Sequence, residues 1–481
     1  MSVVADSVKI QHLYWRARLG ITPADLLSAE HRHLKKLIAK TMRGGESRPS
    51  EITVPQTEEI SRIQPGQFKS MSPEQRRALF KTSEEGIRAL NLGWIAEMCA
   101  TDHPLLEKMA LFWHGHFACR VPNVKHNQQL LQVIRDNALG NFGDLLTAVS
   151  KSPAMLQFLN NQQNRKQHPN ENFAREVMEL FTMGRGNYTE EDVKQGARAF
   201  TGWGFDPTGE FRFRPNLHDD GEKLFLGKTG NFTGEDVLRI ILEQKDTAYF
   251  ITGKLYRFFV NDNPDESIIR PLSEQFYQSN YDLKELMGTL FSSDWFYDQA
   301  NVGAIIKSPV ELMAGMIRTV PATFQKPQVL VLFQRVLGQV LFYPPNVAGW
   351  PGGKSWIDSS TLMFRLRLPQ LLYYSQEFSV HPKDMPDEIM DDGMTMQAND
   401  ATLKQMSRKV EATVNWDPYL KAFDAVSQED LPGAIASALI VNAPKRIDKS
   451  LLDNFSDQGS REHYIETLTI NLMSTPEYQL C

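Results

Sequence analysis

The stretch Ser72-Pro73-Glu74-Gln75 carries three signals for the start of a helix. Serine is a preferred N-cap residue, proline fits the first helical position, and glutamine three residues after the cap completes a capping box. Ser308-Pro309-Val310-Glu311 repeats the arrangement with glutamate, and Thr189 and Thr233 each precede acidic residues that suit the positive end of a helix dipole. We therefore predict a mainly α-helical fold, a large multi-helix bundle.

One short section departs from the helical pattern. Phe211-Arg212-Phe213-Arg214 alternates apolar and basic residues, and Lys223-Leu224-Phe225-Leu226 follows after the turn-rich residues 216–221. Alternation with a period of two indicates strands, and turn residues between two strands indicate a hairpin. We predict that these stretches pair in a small β-hairpin insertion near residues 209–228.

Composition divides the chain into three parts. Residues 376–410 are acidic and rich in methionine, which is typical of an exposed loop. We predict a main helical body over residues 1–375 and C-terminal helices over residues 411–481 that pack on this body. Hydrophobic residues make up 41% and charged residues 23% of the 481 residues, as in an ordinary globular protein that buries a sizeable core.

Charge, hydropathy and cysteine content limit the function classes. The formal net charge is −6 at pH 7, so we expect no general attraction to nucleic acid or anionic lipid. The first residues lack the apolar core of an export signal, and no stretch reaches membrane-spanning length, so we expect a cytoplasmic protein without a membrane span. Three cysteines without CxxC spacing favour reduced thiols over a disulfide framework: Cys99, Cys119 and Cys481.

The densest polar cluster spans residues 168–180. Pro169 suits the first position of a helix and Gly184 or Gly186 suits its end, so we predict one helix of about four turns. The polar side chains fall on two neighbouring rows of this helix, one with Glu171, Arg175 and Glu179 and the other with Asn172 and Glu176.

Two interpretations of this helix are open. In one, its charges form a ladder of ion pairs on the protein surface. In the other, the helix faces inward and its paired carboxylates do acid/base chemistry or bind a hard metal ion, with Glu176 or Glu179 as general base or metal ligand. Arg175 would then orient a carboxylate or bind an anionic substrate, and Asn172 would contact the substrate.

Two histidines lie in Phe112-Trp113-His114-Gly115-His116-Phe117, at the end of a helix predicted to start near Pro104. On an ideal helix they point about 200° apart, so they share a metal ion only if Gly115 ends or distorts the helix. Extended backbone would make His114 and His116 ligands of a divalent metal ion that still needs a third ligand. The other interpretation is a core or hydrogen-bonding role for one or both rings.

Further candidates lie downstream. His218 and Asp219, in the predicted hairpin turn, offer a third metal ligand or a carboxylate–imidazole pair for proton transfer, although turn capping also explains Asp219 and Asp220. The Pro- and Gly-rich loop at 344–356 presents Trp350 either to the core or to a cleft that suits a sugar ring or a peptide. Arg365, on the next predicted helix, binds an anion or pairs with acidic residues.

The motifs together resemble the bacterial family catalogued as domain of unknown function 1800. The resemblance covers nearly the whole chain from about His12, and it is carried by the stretches 112–117, 153–156, 169–176, 201–203, 218–219, 307–309 and 344–353. It implies a mainly helical protein whose relatives are often exported and often encoded beside a sulfatase-like or phosphatase-like protein. The chain has Phe181 where many members have histidine and Asn160 where many have aspartate.

We consider two functions. The first is a hydrolase-like enzyme acting on a saccharide or a phosphorylated or sulfated substrate, with or without a divalent metal ion. Its cleft would join the His114 and His116 segment, the Asn172–Glu179 helix and the His218 hairpin, with Trp203 and Trp350 as walls. The second is a non-catalytic helical binding or assembly protein, in which the same residues form a satisfied buried network. The sulfatase-like or phosphatase-like protein is the expected partner.

Overall fold

The computed structural model describes residues 4–28, 33–43, 48–61, 70–374, 410–441 and 456–481. The helices of these residues are α1 (Asp6–Ala17), α2 (Pro23–Leu27), α3 (Leu34–Met42), α4 (Pro55–Ser61), α5 (Pro73–Ala100), α6 (Pro104–His116), α7 (Val124–Asn137), α8 (Phe142–Ser150), α9 (Pro153–Phe158), α10 (Glu171–Glu179), α11 (Glu190–Ala199), α12 (Gly234–Leu242), α13 (Lys245–Phe259), α14 (Glu266–Gln278), α15 (Leu283–Ser292), α16 (Pro309–Thr319), α17 (Val329–Leu337), α18 (Ser359–Tyr373), α19 (Asp417–Lys421), α20 (Leu431–Leu439) and α21 (Arg461–Met473).

Besides short 3-10 helices, the described residues contain six short strands: β1 (Trp203–Phe205), β2 (Phe211–Phe213), β3 (Lys223–Phe225), β4 (Lys228–Gly230), β5 (Ala322–Phe324) and β6 (Ala412–Val414). They form two-stranded antiparallel sheets only. The predicted mainly α-helical fold is therefore confirmed.

The helix starts lie where the cap residues predict them. Ser72 caps α5 and Ser308 caps α16, each in a reciprocal capping box with a proline in the first turn. Thr189 and Thr233 cap α11 and α12 in the same way, with an aspartate as the partner. Local hydrogen bonds to otherwise unpaired backbone N–H groups thus determine where these helices begin.

The predicted hairpin pairing is wrong. Strand β2 pairs with β1, through Phe205 opposite Phe211, and β3 pairs with β4, through Phe225 opposite Lys228. The residues between β2 and β3 do not form a hairpin turn that pairs these two strands. Instead, short turns at Asp206–Gly209 and at Leu226–Gly227, where Gly209 and Gly227 have φ of +86° and +78°, each close a hairpin of their own.

The polar helix is shorter than predicted. Asn170 is the N-cap of α10 and accepts the backbone N–H of Asn172, so the helix begins after Pro169 rather than at it. Its end is followed by a compact turn in which Met183 and Gly184 donate to the carbonyl of Met178. This turn determines the position of the residues that follow α10.

A single cluster of buried hydrophobic residues extends from Ile10 to Cys481 in the described part of the chain. The 28-residue helix α5 packs on α7 and α16, and α13 packs along α14. The C-terminal helices pack on the body, because β6 pairs with β5, Ile306 bridges Leu480, and α21 contacts α18.

Of the predicted acidic loop at 376–410, all but the last residue lie outside the described residues. No described helix is both long and apolar enough to span a membrane.

Candidate functional site

The arginine of α10 is engaged on the protein surface. Arg175 donates to both carboxylate oxygens of Glu190 at 2.8 Å and to Glu171 at 3.2 Å. The carboxylate of Glu190 is largely exposed, and ion pairs of this kind contribute little to stability. Arg175 therefore belongs to a ladder of ion pairs on the protein surface. Its guanidinium binds carboxylates of the same chain and is not oriented towards a substrate.

The two glutamates predicted to act as bases have different environments. Glu179 accepts from Arg185 Nε at 2.5 Å and from the Tyr188 hydroxyl at 3.1 Å. Glu176 is partly buried, and its carboxylate has no hydrogen-bond partner in the described residues. Burial and then repulsion from Glu179 raise the pKa of Glu176. Glu176 is thus the better acid/base group of the two, because it is neither ion-paired nor hydrogen-bonded.

His114 is sealed in the core. Helix α6 continues through Gly115 to His116, so the backbone is not distorted and the two rings point in different directions. Nε2 of His114 accepts the backbone N–H of Phe342 at 3.1 Å, and Trp94 packs on the ring at 5.2 Å between centroids. Burial lowers the pKa of His114 to about 3, so the ring is neutral. Its Nε2 lone pair is already used within the protein.

The loop that carries Trp350 is held against the end of α6. Gly349 has φ of +79°, and a Cβ atom at this position would overlap the carbonyl oxygen of Gly115, so only glycine fits. The loop places the Trp350 ring 5.7 Å from the ring of His114. These predicted site residues do meet, but as packing partners around a neutral histidine.

His116 has a different set of partners. Its Nε2 is 3.1 Å from the carbonyl oxygen of Phe181, and its Nδ1 is 3.2 Å from Nζ of Lys254. Because a carbonyl only accepts, Nε2 carries the ring proton and Nδ1 accepts from Lys254. Lys254 also donates to the carbonyl of Leu180 at 3.2 Å. This arrangement joins α6, α13 and the residues after α10.

The pKa values of this pair are shifted in the direction that burial dictates. Burial and then the charge of Arg257 lower the pKa of Lys254 to about 8, and burial and then Lys254 lower the pKa of His116 well below its usual value. At neutral to slightly alkaline pH the amine of Lys254 therefore exchanges its proton readily, while His116 stays neutral.

A cleft of about 320 Å³ lies beside this pair, bordered by the residues after α10 and by α13 and α14. This volume is at the low end for small-molecule sites. Gly253, Phe250 and Arg257 line it from α13, and Arg185 lines it from the residues after α10. Phe250 and Arg257 lie one helical turn before and after Lys254, so the amine shares their side of the helix.

The guanidinium of Arg257 is available to a ligand. The side chain is exposed, lines the cleft, and forms no hydrogen bond or ion pair in the described part of the chain. Lys254 Nζ lies 4.9 Å from the ring centroid of Phe250, a residue that lines the cleft. The cleft thus combines a cation that is unpaired in the described residues with an aromatic surface, and the amine with a low pKa lies against the same aromatic ring.

The predicted pair of His218 and Asp219 is not formed. Nδ1 of His218 donates to the carbonyl of Thr201 at 3.0 Å, whereas the carboxylate of Asp219 accepts from Arg198 at 2.7 and 3.1 Å. Asp219 also accepts the backbone N–H of Gly221 at 2.9 Å, which is a turn-capping role. Hydrogen bonding to Arg198 is the main cause of the lowered pKa of Asp219. Among the described residues, His218 shares no hydrogen-bond or ring-contact partner with His114 or His116.

The remaining predicted substrate contacts lie elsewhere. Asn172 is exposed and donates to the carbonyl of Leu159 at 3.4 Å. Trp203 is fully buried against Phe200 and the first residues of α12, so it is part of the core rather than a cleft wall. Arg365 is also fully buried. The predicted composite cleft is therefore divided into separate, mostly closed contacts.

The model of the family described as protein of unknown function (DUF1800) matches residues 12–480. The chain belongs to this family. No curated protein and no solved structure matches it.

Metal ligation is not supported by the geometry of this DUF1800 protein. In the described residues, no group of three His, Cys, Asp or Glu side chains is arranged to hold a metal ion. The cysteines are free, and burial raises the pKa of Cys99 to about 12. The divalent metal ion with His114 and His116 as ligands thus lacks the third ligand that the sequence left open.

Sequence reasoning missed Lys254 and Arg257 in this DUF1800 chain. One signal was present: Lys254 falls between Ile251, Leu255 and Phe258 in the apolar stripe of α13, where a lysine is unusual. Arg257 gave no signal, because an arginine near the end of an amphipathic helix is ordinary. Only the packing of α13 against α6 and the end of α10 distinguishes these two residues.

Proposed function

We propose that this protein is a hydrolase-like enzyme that acts on a phosphorylated or sulfated substrate bound in the cleft beside Lys254. One arrangement carries this proposal: an amine with a pKa of about 8 is held by His116 and lies one helical turn from Phe250 and Arg257, which line a cleft, and the guanidinium of Arg257 is unpaired in the described residues. The substrate class follows from the family resemblance, and we propose the sulfatase-like or phosphatase-like protein encoded nearby as a partner.

In this proposal Lys254 is the general base. Its hydrogen bonds to His116 Nδ1 and to the Leu180 carbonyl fix the position of the amine. The neutral amine takes a proton from a water molecule as the water oxygen attacks the phosphorus or sulfur atom of the ester. Base catalysis is most effective when the pKa lies near the working pH, which suits an amine with a pKa of about 8.

Two further side chains complete the reaction. Arg257 binds the anionic oxygens of the substrate, because its planar guanidinium offers paired N–H donors. Glu176, which lies one helical turn before Leu180 and has a raised pKa, gives its proton to the leaving oxygen as the ester bond breaks. The hydroxyl group of the water stays on the phosphate or sulfate product, and the alcohol leaves with the proton of Glu176. The proton held by Lys254 then passes through solvent to Glu176, which restores both groups.

Turnover of chromogenic phosphate and sulfate monoesters tests this function. We expect Lys254→Met to lower kcat/KM by about 10²-fold or more, and the activity of the unaltered protein to rise with pH through about 8. Lys245→Met is the matched control, because Lys245 is exposed on the same helix and pairs with Glu274 at 3.1 Å. Arg257→Gln should raise KM, whereas Arg175→Gln should change neither constant.

The function is contradicted if Lys254→Met keeps full activity. It is also contradicted if no ester is cleaved and neither phosphate nor sulfate slows the chemical modification of Lys254. Substitution of Arg257 alone distinguishes substrate binding from chemistry, since loss of the anion contact affects KM before kcat.

A non-catalytic binding or assembly protein is the second candidate. The observation that favours it is the set of closed polar contacts around His114, His218 and Asp219, which resembles a satisfied buried network. In that case Lys254→Met changes the free energy of unfolding and leaves no enzymatic activity to lose. Pull-down of the nearby-encoded partner with the unaltered chain and with Arg257→Gln then tests whether the cleft is a docking site.

A further inference from the structure

A buried glycine on α13 faces open space in the cleft. Gly253 lines the cleft, and a Cβ atom built at this position meets no atom of the described residues within 4 Å apart from its chain neighbours and the backbone of its own helix. Glycine inside a helix is unfavourable relative to alanine, and φ at Gly253 is not positive, so the backbone conformation does not require it. The missing side chain therefore leaves room for a ligand against the helix backbone.

Gly253 lies between two aromatic side chains and a cation of the cleft. Tyr249 and Phe250 precede Gly253 by one helical turn. Arg257 follows it by one turn, and all four residues line the cleft. Residues three or four positions apart share one face of a helix. A ligand that rests on the bare backbone at Gly253 thus has aromatic rings on one side and a guanidinium on the other.

The ring of Phe250 is held in place by two neighbours. Gly184 has φ of +75°, and a Cβ atom there would lie 2.9 Å from Cδ2 of Phe250, so glycine is what lets the ring pack this closely. Nζ of Lys254 lies 4.9 Å from the ring centroid, a distance at which a cation attracts an aromatic face. A ring that is already fixed by its neighbours loses little conformational freedom when a ligand packs on it.

The uncharged polar side chains of the cleft walls are largely occupied within the protein. The Tyr249 hydroxyl donates to Glu266 at 2.6 Å, and the Asn187 amide donates to the carbonyl of Met183 at 2.7 Å. The other uncharged residues that line the cleft are apolar or glycine: Met183, Gly184, Phe250, Gly253, Pro264 and Ile269. A sugar needs hydrogen-bond partners for its hydroxyl groups when it leaves water, and these walls offer few. They suit a ligand with an apolar body.

The charges that line the cleft leave one cation over. Two arginines and one glutamate line it. Glu266 lies 3.3 Å from Nε of Arg270, and Arg185 Nε lies 2.5 Å from Glu179, so each of these two lining residues has an opposite charge beside it. Arg257 has no hydrogen bond or ion pair in the described part of the chain. The positive charge that remains for a ligand is therefore that of Arg257.

We propose that the cleft selects aryl monoesters, in which an aromatic ring rests on the bare backbone of Gly253 beside Phe250 and the phosphate or sulfate group binds Arg257. An aromatic ring gains more from neighbouring aromatic side chains than a saturated ring of the same size does. The volume of about 320 Å³ is at the low end for small-molecule sites, which suits a single ring. This inference rests on the proposed function and names its substrate class.

Binding of four phosphonates to the unaltered full chain tests this selection. Phosphonates lack the ester bond, so isothermal titration calorimetry measures their affinity whether or not the protein hydrolyses esters. We expect benzylphosphonate to bind about 3-fold or more tightly than cyclohexylmethylphosphonate, which has a saturated ring of similar size. It should bind about 10-fold or more tightly than methylphosphonate, which offers little beyond the anion, and than the phosphonate analogue of glucose 6-phosphate.

Substitution of Gly253 locates the aromatic ring. Gly253→Leu fills the open space and should weaken the binding of benzylphosphonate by about 10-fold or more, while the affinity for methylphosphonate changes by less than about 2-fold. Its Tm should not fall, because leucine is a better helix former than glycine. Gly433→Leu is the matched control, because Gly433 lies inside α20 and a Cβ atom there also has no neighbour within 4 Å. This control should change neither affinity.

Two further variants separate the ring contact from the anion contact. Gly184→Ala displaces Phe250 and should weaken the binding of benzylphosphonate more than that of methylphosphonate. Arg257→Gln should weaken the binding of all four phosphonates, because each presents the same anionic group to the guanidinium.

Three results would overturn the inference. They are equal affinities for benzylphosphonate and cyclohexylmethylphosphonate, an affinity for the glucose analogue as high as that for benzylphosphonate, and full binding of benzylphosphonate by Gly253→Leu. Turnover separates the inference from the proposed function. Cleavage of sugar esters without the preference for benzylphosphonate contradicts aryl selection alone, whereas the expected order of phosphonate affinities without cleavage of any ester contradicts hydrolysis alone.

Discussion

The ammonium nitrogen of Lys254 lies 3.2 Å from Nδ1 of His116. His116 in turn donates from Nε2 to the carbonyl of Phe181 at 3.1 Å, so one chain of hydrogen bonds connects α13, α6 and the residues after α10. The histidine motif that suggested metal ligation thus has a lysine as its polar partner. A neutral imidazole that accepts from a lysine holds the amine in one place, which a general base requires.

Chemical modification measures the proton affinity of Lys254 directly. We expect the reaction of Lys254 with trinitrobenzenesulfonate to rise with pH and to level off above about 8, because only the neutral amine reacts and burial lowers the pKa of Lys254 to about 8. Peptide mapping by mass spectrometry gives the rate at this position. Lys245, exposed on the same helix, corrects for changes in the reagent across the pH range. A rate that still increases at pH 10 contradicts the expectation.

Lys254 should also make stability depend on pH. Its folded pKa of about 8 is lower than the value of about 10.4 in an unfolded chain, so the protonated lysine costs stability below pH 8 and this cost disappears as the pH rises towards 10.4. Lys254→Met removes the cost. The difference in the free energy of unfolding between the variant and the unaltered protein should therefore shift by about 3 kcal/mol in favour of the unaltered protein between pH 7 and pH 10.5.

Urea unfolding at a series of pH values measures this difference. Lys245→Met should show no comparable trend, since Lys245 lies exposed and paired with Glu274. A difference between Lys254→Met and the unaltered protein that stays constant across the range would mean that Lys254 titrates alike in the folded and unfolded chains.

Acid unfolding should depend on His114. Burial lowers its folded pKa to about 3 from an unfolded value of about 6.5, so its contribution to stability is fully present above pH 6.5 and is lost as the pH falls towards 3. His114→Gln retains an acceptor for the N–H of Phe342 but cannot titrate. As the pH falls below about 6.5, its free energy of unfolding should therefore decrease by about 1.4 kcal/mol per pH unit less than that of the unaltered protein. Denaturant titrations between pH 6.5 and 4 check this, with the exposed His168→Gln as control.

A buried ion pair next to α5 should be essential for folding. Glu107 accepts three hydrogen bonds from Arg135 at 2.7 to 3.1 Å and one from Trp94 Nε1 at 2.7 Å. Glu107→Gln leaves the buried arginine with only the more distant and partly exposed Glu97, at 3.5 Å, as a counter-charge and should lower the free energy of unfolding by about 3 kcal/mol. Glu84→Gln, which breaks the partly exposed pair with Arg88, should cost less than about 1 kcal/mol. Equal costs in chemical denaturation would refute this ranking.

The loop that carries Trp350 should tolerate alanine at one glycine and not at another. Gly349 and Gly352 both have positive φ, but a Cβ atom on Gly349 would overlap the Gly115 carbonyl, whereas one on Gly352 has no neighbour within 4 Å. Gly349→Ala should therefore lower Tm clearly more than Gly352→Ala, since both share the backbone strain and only the first adds a collision. Similar Tm values for the two variants would place the loop away from α6.

Local sequence was sufficient for part of the fold. The capping boxes at Ser72 and Ser308 marked two helix starts correctly, because a cap and its partner lie within one turn of chain. The same reasoning failed for the hairpin, since Phe211-Arg212-Phe213 has strand character but pairs with residues 203–205, whose apolar character did not stand out. A strand is recognised from its own residues, whereas its partner depends on which turn closes first.

The candidate site was beyond the reach of sequence. Patterns in the chain drew attention to His116 and Glu176, and the helical content, the cap positions and the family follow from local residues alone. The packing of α13 against α6 gave His116 its lysine partner, whereas Trp94, Phe342 and Trp350 enclose His114. The same helix leaves Arg257 exposed at a cleft. Local backbone energies fix where a helix starts, but burial and partners of a charged side chain depend on contacts between distant segments, and these exist only in the folded chain.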